Sequence, residues 1–241
     1  MKNISLSVFF PFYNDEGSIR KIVNDTLETL KEITEDYEII LVDDHSPDKV
    51  GEIADELAKE NPKIKVIHHE KNRGYGGALK SGFSNSTKEY IFYTDGDNQY
   101  DVKELKLLVD KLDEDTDLVN GYKLSRGDPW YRKLIGRTYH WTVKILFNLK
   151  IRDVDCDFRL IRRKLFDQFD LESNSGVICV ELMKKIHMQK AKIKEVPVHH
   201  YPRYYGKSQF FNFKRIFKVG IGILNQWYKL ILLKKNGKRS I

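Results

Sequence analysis

Short apolar runs alternate with amphipathic stretches along the first half of the chain. The runs at 4–10, 38–43, 64–68, 90–94 and 117–121 predict buried β-strands. Between them, apolar residues recur at helical spacing, which predicts helices over 19–34, 50–59, 76–86 and 102–112, the first with Ser18 as its N-cap. This alternation predicts an α/β fold with a mostly parallel sheet and helices on both faces.

Polar motifs follow three of the predicted strands. Tyr13-Asn14 comes after the first strand, Asp43-Asp44 after the second, and Asp95 with Asp97 after the fourth. Ligands of open parallel sheets bind beyond the carboxyl ends of the strands. The sequence therefore predicts a binding site at this edge.

The segment Thr94–Gln99 places two carboxylates, Asp95 and Asp97, on either side of Gly96. Such a pair suits Mg²⁺ or Mn²⁺, which could neutralise the charge of a diphosphate leaving group. The simpler interpretation is a solvated Asp-Gly turn. Likewise, Asp43-Asp44 could accept hydrogen bonds from a nucleobase or ribose, or could cap a helix.

Three glycines, Gly74, Gly76 and Gly77, open the third predicted helix. Glycines at a helix N-terminus let backbone amides approach a phosphate. Their spacing matches neither the dinucleotide-binding fingerprint nor a P-loop. Two adjacent histidine pairs, His68-His69 and His199-His200, lack helical metal-ligand spacing and are interpreted as ordinary strand residues.

The order of these motifs resembles family 2 glycosyltransferases over residues 4–121. The resemblance rests on Pro11–Glu16, Val42–Asp44, Asn72–Ala78 and Asp95–Asp97 in turn. It implies a GT-A (Rossmann-like) fold, an inverting mechanism and a nucleotide-sugar donor with Mg²⁺ or Mn²⁺. By position, the implied nucleoside and donor residues are Pro11, Tyr13, Glu16, Asp44, Gly74 and Lys80, and the implied metal and diphosphate residues are Asp95, Asp97 and Gln99.

The second half resembles dolichyl- and polyprenyl-phosphate hexosyltransferases. It has a basic residue after a strand, Lys123, an amphipathic segment, the stretch Asp153–Arg159 and a late Arg-x-x-Gly-x-Ser. The chain has Asp155-Cys156-Asp157 where the family has Thr-Ser-Gly, and Lys123 where Arg is usual. By resemblance, the candidate phosphate contacts are Arg137, Arg203 and Lys207, and Glu181 matches a family carboxylate; with Asp95 and Asp97 these are the candidate catalytic residues.

The implied acceptor is a polyprenyl phosphate, such as dolichyl or undecaprenyl phosphate, receiving a hexose from UDP- or GDP-sugar. Its phosphate is already ionised near neutral pH, so it needs cations more than a base. The Q-x-x-R-W motif of many sugar-acceptor members is absent from the sequence. The alternative is a glycan hydroxyl acceptor, which would need a base such as Asp155, Asp157 or Glu181.

Two further function classes receive less support. A nucleic-acid binder would suit the basic and aromatic residues, but no RRM, KH, helix-turn-helix or finger signature is present. We therefore expect no nucleic-acid partner. A non-catalytic nucleotide-sugar sensor is disfavoured because Asp95 and Asp97 are both retained.

The charge of the chain, formally +7 with a pI near 9.1, suits phosphorylated substrates or an anionic membrane surface. Aromatic and basic residues are interleaved at 130–149 and 210–235, which predicts interfacial helices; packing on the core or a homo-oligomer contact is the alternative. We divide the chain into a catalytic domain, 1–209, with donor half 1–121 and acceptor half 122–209, and an amphipathic basic segment, 210–241.

The compartment is predicted from what the sequence lacks. Two cysteines without C-x-x-C spacing indicate neither a disulfide framework nor a cysteine zinc site. The sequence shows no signal-peptide pattern and no apolar run of about 18 residues. We expect a peripheral protein at the cytoplasmic side of a membrane.

Overall fold

The computed structural model describes residues 4–124, 130–203, 205 and 213–233. Its seven strands form one sheet in the order β3-β2-β1-β4-β6-β5-β7. β1 pairs in parallel with β2 and β4, and β6 is antiparallel to both β4 and β5. The strands are β1 (Leu6–Phe12), β2 (Tyr37–Asp43), β3 (Ile64–His68), β4 (Tyr90–Thr94), β5 (Leu118–Lys123), β6 (Phe158–Arg162) and β7 (Ile193–Val198). The mostly parallel sheet is confirmed, with β6 as the antiparallel exception.

The helices are α1 (Glu16–Ile33), α2 (Val50–Glu60), α3 (Tyr75–Asn85), α4 (Leu105–Lys111), α5 (Trp130–Phe147), α6 (Ile178–Met188) and α7 (Phe213–Trp227), which continues into a π-helical segment, Tyr228–Leu233. Short 3₁₀ helices span Val102–Glu104 and Arg163–Gln168. The predicted N-cap at Ser18 is wrong, because α1 already begins at Glu16. The buried Ser18 hydroxyl instead donates to the Gly96 carbonyl at 2.6 Å.

Apolar layers cover both faces of the sheet. Alternate residues of β1 point to opposite faces, so Val8 and Phe10 pack with α1, whereas Phe9 packs with α3. All seven residues of β1 are buried. Burial on both faces explains why the central strands read as continuous apolar runs.

The two aromatic and basic segments form α5 and α7, as the sequence predicts, and these helices contact each other. α7 places Ile223 in the same apolar layer as α5 and α6. Within the described parts of the chain, no helix is both long and apolar enough to cross a bilayer. The domain boundary near residue 209 stays a prediction.

Candidate functional site

The loops that follow β1, β2 and β4 meet at one edge of the sheet. Asp44 N–H donates to the Phe12 carbonyl at 3.0 Å, and Asn14 N–H donates to Ser46 Oγ at 3.3 Å. Each loop contains a non-glycine residue with positive φ: Asn14 at 62°, His45 at 59° and Asn98 at 59°. This conformation is uncommon outside glycine and often marks functional sites. The structure thus brings the three predicted motifs together.

Pro11, Tyr13 and Glu16 lie where β1 runs into α1. Pro11 is buried within the strand, whereas the Tyr13 side chain is exposed. Glu16 accepts a hydrogen bond from Lys49 N–H at 3.0 Å and one from the Tyr205 hydroxyl at 3.0 Å. Both hydrogen bonds lower the pKa of Glu16, so this carboxylate is ionised at neutral pH. Tyr205 therefore lies beside the predicted nucleoside residues.

Asp44 is turned into the protein. Its Oδ1 accepts from His69 Nδ1 at 2.6 Å and from Arg73 N–H at 2.7 Å, and its Oδ2 accepts from Gly74 N–H at 2.9 Å. The carboxylate is buried with both oxygens engaged. Asp44 thus shapes the glycine segment behind the site, rather than lining the nucleoside site as predicted.

The interpretation of His69 as an ordinary strand residue is wrong, because this histidine positions Asp44 from a place just after the strand. It follows the last residue of β3, is buried, and also contacts Ser81 Oγ through Nε2 at 2.8 Å. It therefore joins the Asp44 carboxylate to α3. A histidine directly after a strand, opposite an aspartate in the same position of the neighbouring strand, was the available signal.

The glycine segment contacts protein rather than open space. Gly76 N–H donates to the Asn174 carbonyl at 3.1 Å. A Cβ on Gly74, whose φ is +77°, would lie 2.6 Å from that oxygen, and one on Gly76 would lie 2.3 Å from the Ser173 carbonyl. Gly74 and Gly76 therefore admit a neighbouring loop, and contact of this segment with a phosphate stays a prediction. Lys80 Nζ likewise donates to the Glu172 carbonyl at 3.2 Å and to Asn174, not into the predicted donor site.

Asp95 lies among other carboxylates at the end of β4. Its Oδ1 accepts a hydrogen bond from the Tyr75 hydroxyl at 2.6 Å. Burial raises its pKa well above the ordinary range, and the charges of Asp157 and Asp97 add to the rise. When neighbouring carboxylates are all ionised, their negative charges repel one another, and a bound cation offsets this repulsion. The residues present therefore fit a divalent ion.

Arg203 supplies a positive charge at this cluster. Its Nη2 lies 2.6 Å from Asp97 Oδ2, and its Nη1 lies 3.3 Å from Asp15 Oδ1. The structure thus brings Arg203, predicted as a phosphate contact, to the predicted metal residues. Gln99 links Asp97 to the segment just before Arg203. Its backbone N–H donates to Asp97 Oδ1 at 3.1 Å, and its side-chain amide donates to the Tyr201 carbonyl at 2.9 Å.

A buried ion pair lies behind the site. Arg159 has no exposed surface, and its Nη1 lies 2.8 Å from Asp157 Oδ1 while its Nε donates to Asn120 Oδ1 at 2.9 Å. Asp157 also accepts from the Tyr93 hydroxyl at 3.2 Å. Asp157, proposed above as a base for a hydroxyl acceptor, is therefore engaged with Arg159.

Glu181 also lies inside the protein. It has no exposed surface and accepts from the N–H groups of Glu172 and Ser173, both at 2.9 Å, and from Lys185 Nζ at 2.7 Å. A carboxylate held in this way cannot reach a substrate. The catalytic role predicted for Glu181 is thus replaced by anchoring of the loop that follows residue 171.

The residues predicted to contact the acceptor phosphate are not brought together as closely as Asp95, Asp97 and Arg203. Arg137 is exposed on α5, and Lys207 lies outside the described residues. Lys123 Nζ lies 3.6 Å from Asp153 Oδ2 at the end of β5. Ligand atoms of His140, Asp153 and Asp155 lie within 4.8 Å of one another, a second place that could hold a cation.

Asp15 gives the site a measurable pH dependence. Burial raises its pKa from 3.8 to about 6, against the lowering effect of Arg203 and with Asp97 adding to the rise. Because the folded chain binds this proton more tightly than the unfolded chain, protonated Asp15 stabilises the fold. This contribution is full below about pH 4 and is lost as pH rises through about 6.

We expect the free energy of unfolding of Asp15→Asn, minus that of the wild type, to increase between pH 4 and 7 and then level off. Urea unfolding in metal-free buffer measures this difference, and a constant difference would contradict the assignment.

The chain is similar to known proteins in its family model and in its sequence. The model of the family described as Glycosyl transferase family 2 matches residues 7–169. The chain is 31% identical over 216 residues to undecaprenyl-phosphate 4-deoxy-4-formamido-L-arabinose transferase from Enterobacter sp. (strain 638). That alignment covers 89% of this chain but 64% of the relative, so the chain spans less than two thirds of the relative's length.

Solved structures share the fold at low sequence identity. Glucosyl-3-phosphoglycerate synthase from Mycobacterium tuberculosis, in complex with Mn²⁺, UDP and glucosyl-3-phosphoglycerate, has a TM-score of 0.66 at 17% identity, over 99% of this chain and 82% of that one. A mannosyltransferase from Pyrobaculum calidifontis, in complex with GDP-Man and Mn²⁺, has a TM-score of 0.67 at 17% identity, over 95% and 64%.

Proposed function

The chain belongs to glycosyl transferase family 2, and from this membership we propose that it transfers a sugar from a UDP- or GDP-sugar to a polyprenyl phosphate with inversion. The observation that carries the proposal is the cluster of Asp15, Asp95, Asp97 and Arg203 at the carboxyl edge of a GT-A sheet. The relative named for an undecaprenyl-phosphate acceptor supports the choice of lipid.

On the donor side, Asp95 and Asp97 would hold Mg²⁺ or Mn²⁺. When bound, this ion would neutralise charge on the departing nucleoside diphosphate. The Tyr75 hydroxyl orients Asp95, and the Gln99 N–H orients Asp97. Arg203, now paired with Asp97, would donate to the diphosphate once a cation takes over the carboxylates.

On the acceptor side, a lipid phosphate would be recognised by cations. Lys123, Arg137 and Lys207 are the proposed contacts. Of the three carboxylates that a glycan hydroxyl acceptor could use as a base, Glu181 is fully buried and Asp157 is paired with Arg159. The engagement of these two leaves Asp155 as the remaining candidate base, and it favours the phosphate acceptor, for which no proton has to be removed.

The helices α5 and α7 offer a surface for the membrane that holds such a lipid. α7 exposes an apolar stripe with helical spacing, and α5 exposes two apolar side chains. The exposed Lys218 flanks the stripe. The stripe consists of Phe217, Ile221, Leu224 and Tyr228, and the α5 residues are Trp141 and Ile145. We propose peripheral attachment at the cytoplasmic face, with 210–241 as the interfacial segment.

The function is tested with purified protein, Mn²⁺ and a panel of UDP- and GDP-sugars. The panel includes pentoses, because the sugar in the relative's name is an arabinose. We expect a lipid-linked sugar from undecaprenyl or dolichyl phosphate in detergent, detected by mass spectrometry. Lipid product from no donor, together with transfer onto a non-phosphorylated glycan, would overturn the phosphate acceptor in favour of the hydroxyl acceptor.

A further inference from the structure

A chain of polar contacts begins at the end of α7. Lys229, in the π-helical segment after α7, places its Nζ 2.7 Å from Glu172 Oε2. This hydrogen bond and charge lower the pKa of Glu172. The pair lies at the surface, with side-chain exposures of 37% and 46%, and irregular π-helical turns are frequent at functional positions. One end of α7 is thus attached to residues 172–176, here called the 172–176 loop.

The 172–176 loop is also bound to a side chain of α6. Glu181 accepts from two successive N–H groups of the loop, those of Glu172 and Ser173. Lys185 compensates the buried charge of Glu181 at 2.7 Å. These hydrogen bonds make the start of the loop stiff. A displacement of Lys229 is therefore passed on to the later residues of the loop rather than lost in local bending.

The other side of the loop touches the start of α3. The Asn174 carbonyl accepts from Gly76 N–H, and the Cβ positions of Gly74 and Gly76 leave no spare room against the loop. Between these two glycines lies Tyr75, whose hydroxyl holds Asp95 at 2.6 Å. A shift of the loop would therefore move Tyr75 and the carboxylate that it orients.

We propose that Glu172 is a positioning residue of the donor site, which couples the placement of α7 to Asp95 through the 172–176 loop and Tyr75. The inference rests on the proposed function. α7 carries the exposed apolar stripe, so a lipid surface that orders α7 would strengthen donor binding. A surface ion pair of this kind is worth up to about 1 kcal/mol, which corresponds to a change of roughly two- to fivefold in affinity.

The test compares two charge-removing changes near the same end of the chain. Lys229→Met breaks the pair with Glu172, whereas Lys218→Met removes an exposed ammonium of α7 that pairs with no described residue. The dissociation constants of Mn²⁺-UDP and Mn²⁺-GDP are measured with and without vesicles of phosphatidylcholine and phosphatidylglycerol. Vesicle binding is measured by sedimentation and folding by melting temperature.

At vesicle concentrations that saturate each protein, vesicles should tighten nucleotide binding by roughly two- to fivefold in the wild type and in Lys218→Met. In Lys229→Met this tightening should disappear, while vesicle binding and melting temperature stay close to those of Lys218→Met. Lys229→Arg retains the positive charge, so in this variant vesicles should again tighten nucleotide binding.

Wild-type protein that binds neither nucleotide overturns the proposed function and the coupling with it. Wild-type protein that binds nucleotide, with equal vesicle responses in the two methionine variants, overturns the coupling alone.

Discussion

Replacing Asp97 with asparagine is expected to lower turnover by about 100-fold or more. The amide keeps the shape of the side chain but removes a charge that balances both Arg203 and the proposed cation. A metal ion contributes several kcal/mol of charge stabilisation in such reactions, and about 1.4 kcal/mol is a factor of ten in rate. The measurement is kcat over a range of Mn²⁺ concentrations with the donor identified in the panel.

The matched control for this change is Asp115→Asn. Asp115 loses the same charge, but its side chain is largely exposed and pairs with Lys192 at the surface. This variant should keep wild-type turnover, because exposed ion pairs contribute little. If Asp97→Asn retained wild-type turnover while remaining folded, the assignment of Asp97 to the metal would be wrong.

Replacing Arg159 with methionine is expected to destabilise the fold by about 3–5 kcal/mol. The change leaves the Asp157 carboxylate without its partner, and an uncompensated charge in the interior is costly. For a chain of this size each kcal/mol lowers the melting temperature by roughly 2–4 °C, so the fall should be roughly 6–20 °C. Thermal and urea unfolding measure it.

A second variant separates lost charge compensation from lost packing. The double change Arg159→Met with Asp157→Asn removes the stranded charge and keeps an acceptor for the Tyr93 hydroxyl. The double variant should therefore be more stable than Arg159→Met alone. Equal stability of the two variants would indicate that Arg159 acts through packing and not through its charge.

The first half of the fold is readable from sequence because its signals are local. Each strand from β1 to β4 is a short apolar run, polar motifs follow β1, β2 and β4, and the structure reproduces this order. β6 is harder to read, because its second residue is Arg159. A buried arginine is tolerated there because Tyr93, Asn120 and Asp157 surround it, and two of these residues, Tyr93 in β4 and Asn120 in β5, are distant in the sequence.

In the site, too, the sequence indicates the type of each residue but not the groups that it contacts. Asp95, Asp97 and Arg203 could be selected from sequence because their chemistry and motif positions indicate metal and phosphate. The same reasoning also selected Asp44 and Glu181, whose oxygens accept from backbone N–H groups of other loops, at residues 73–74 and 172–173 respectively. A glycine pattern likewise does not distinguish an approaching phosphate from an approaching carbonyl of Asn174.

The most direct test of the central claim is the melting temperature of the wild-type protein with UDP or GDP, each with and without Mn²⁺. One nucleotide should raise the melting temperature only when the metal is present. At a hundredfold excess over its dissociation constant, the stabilisation should be about 2.7 kcal/mol. If neither nucleotide shifts the melting temperature with Mn²⁺ or Mg²⁺, the carboxylates at the end of β4 do not form a metal-dependent donor site.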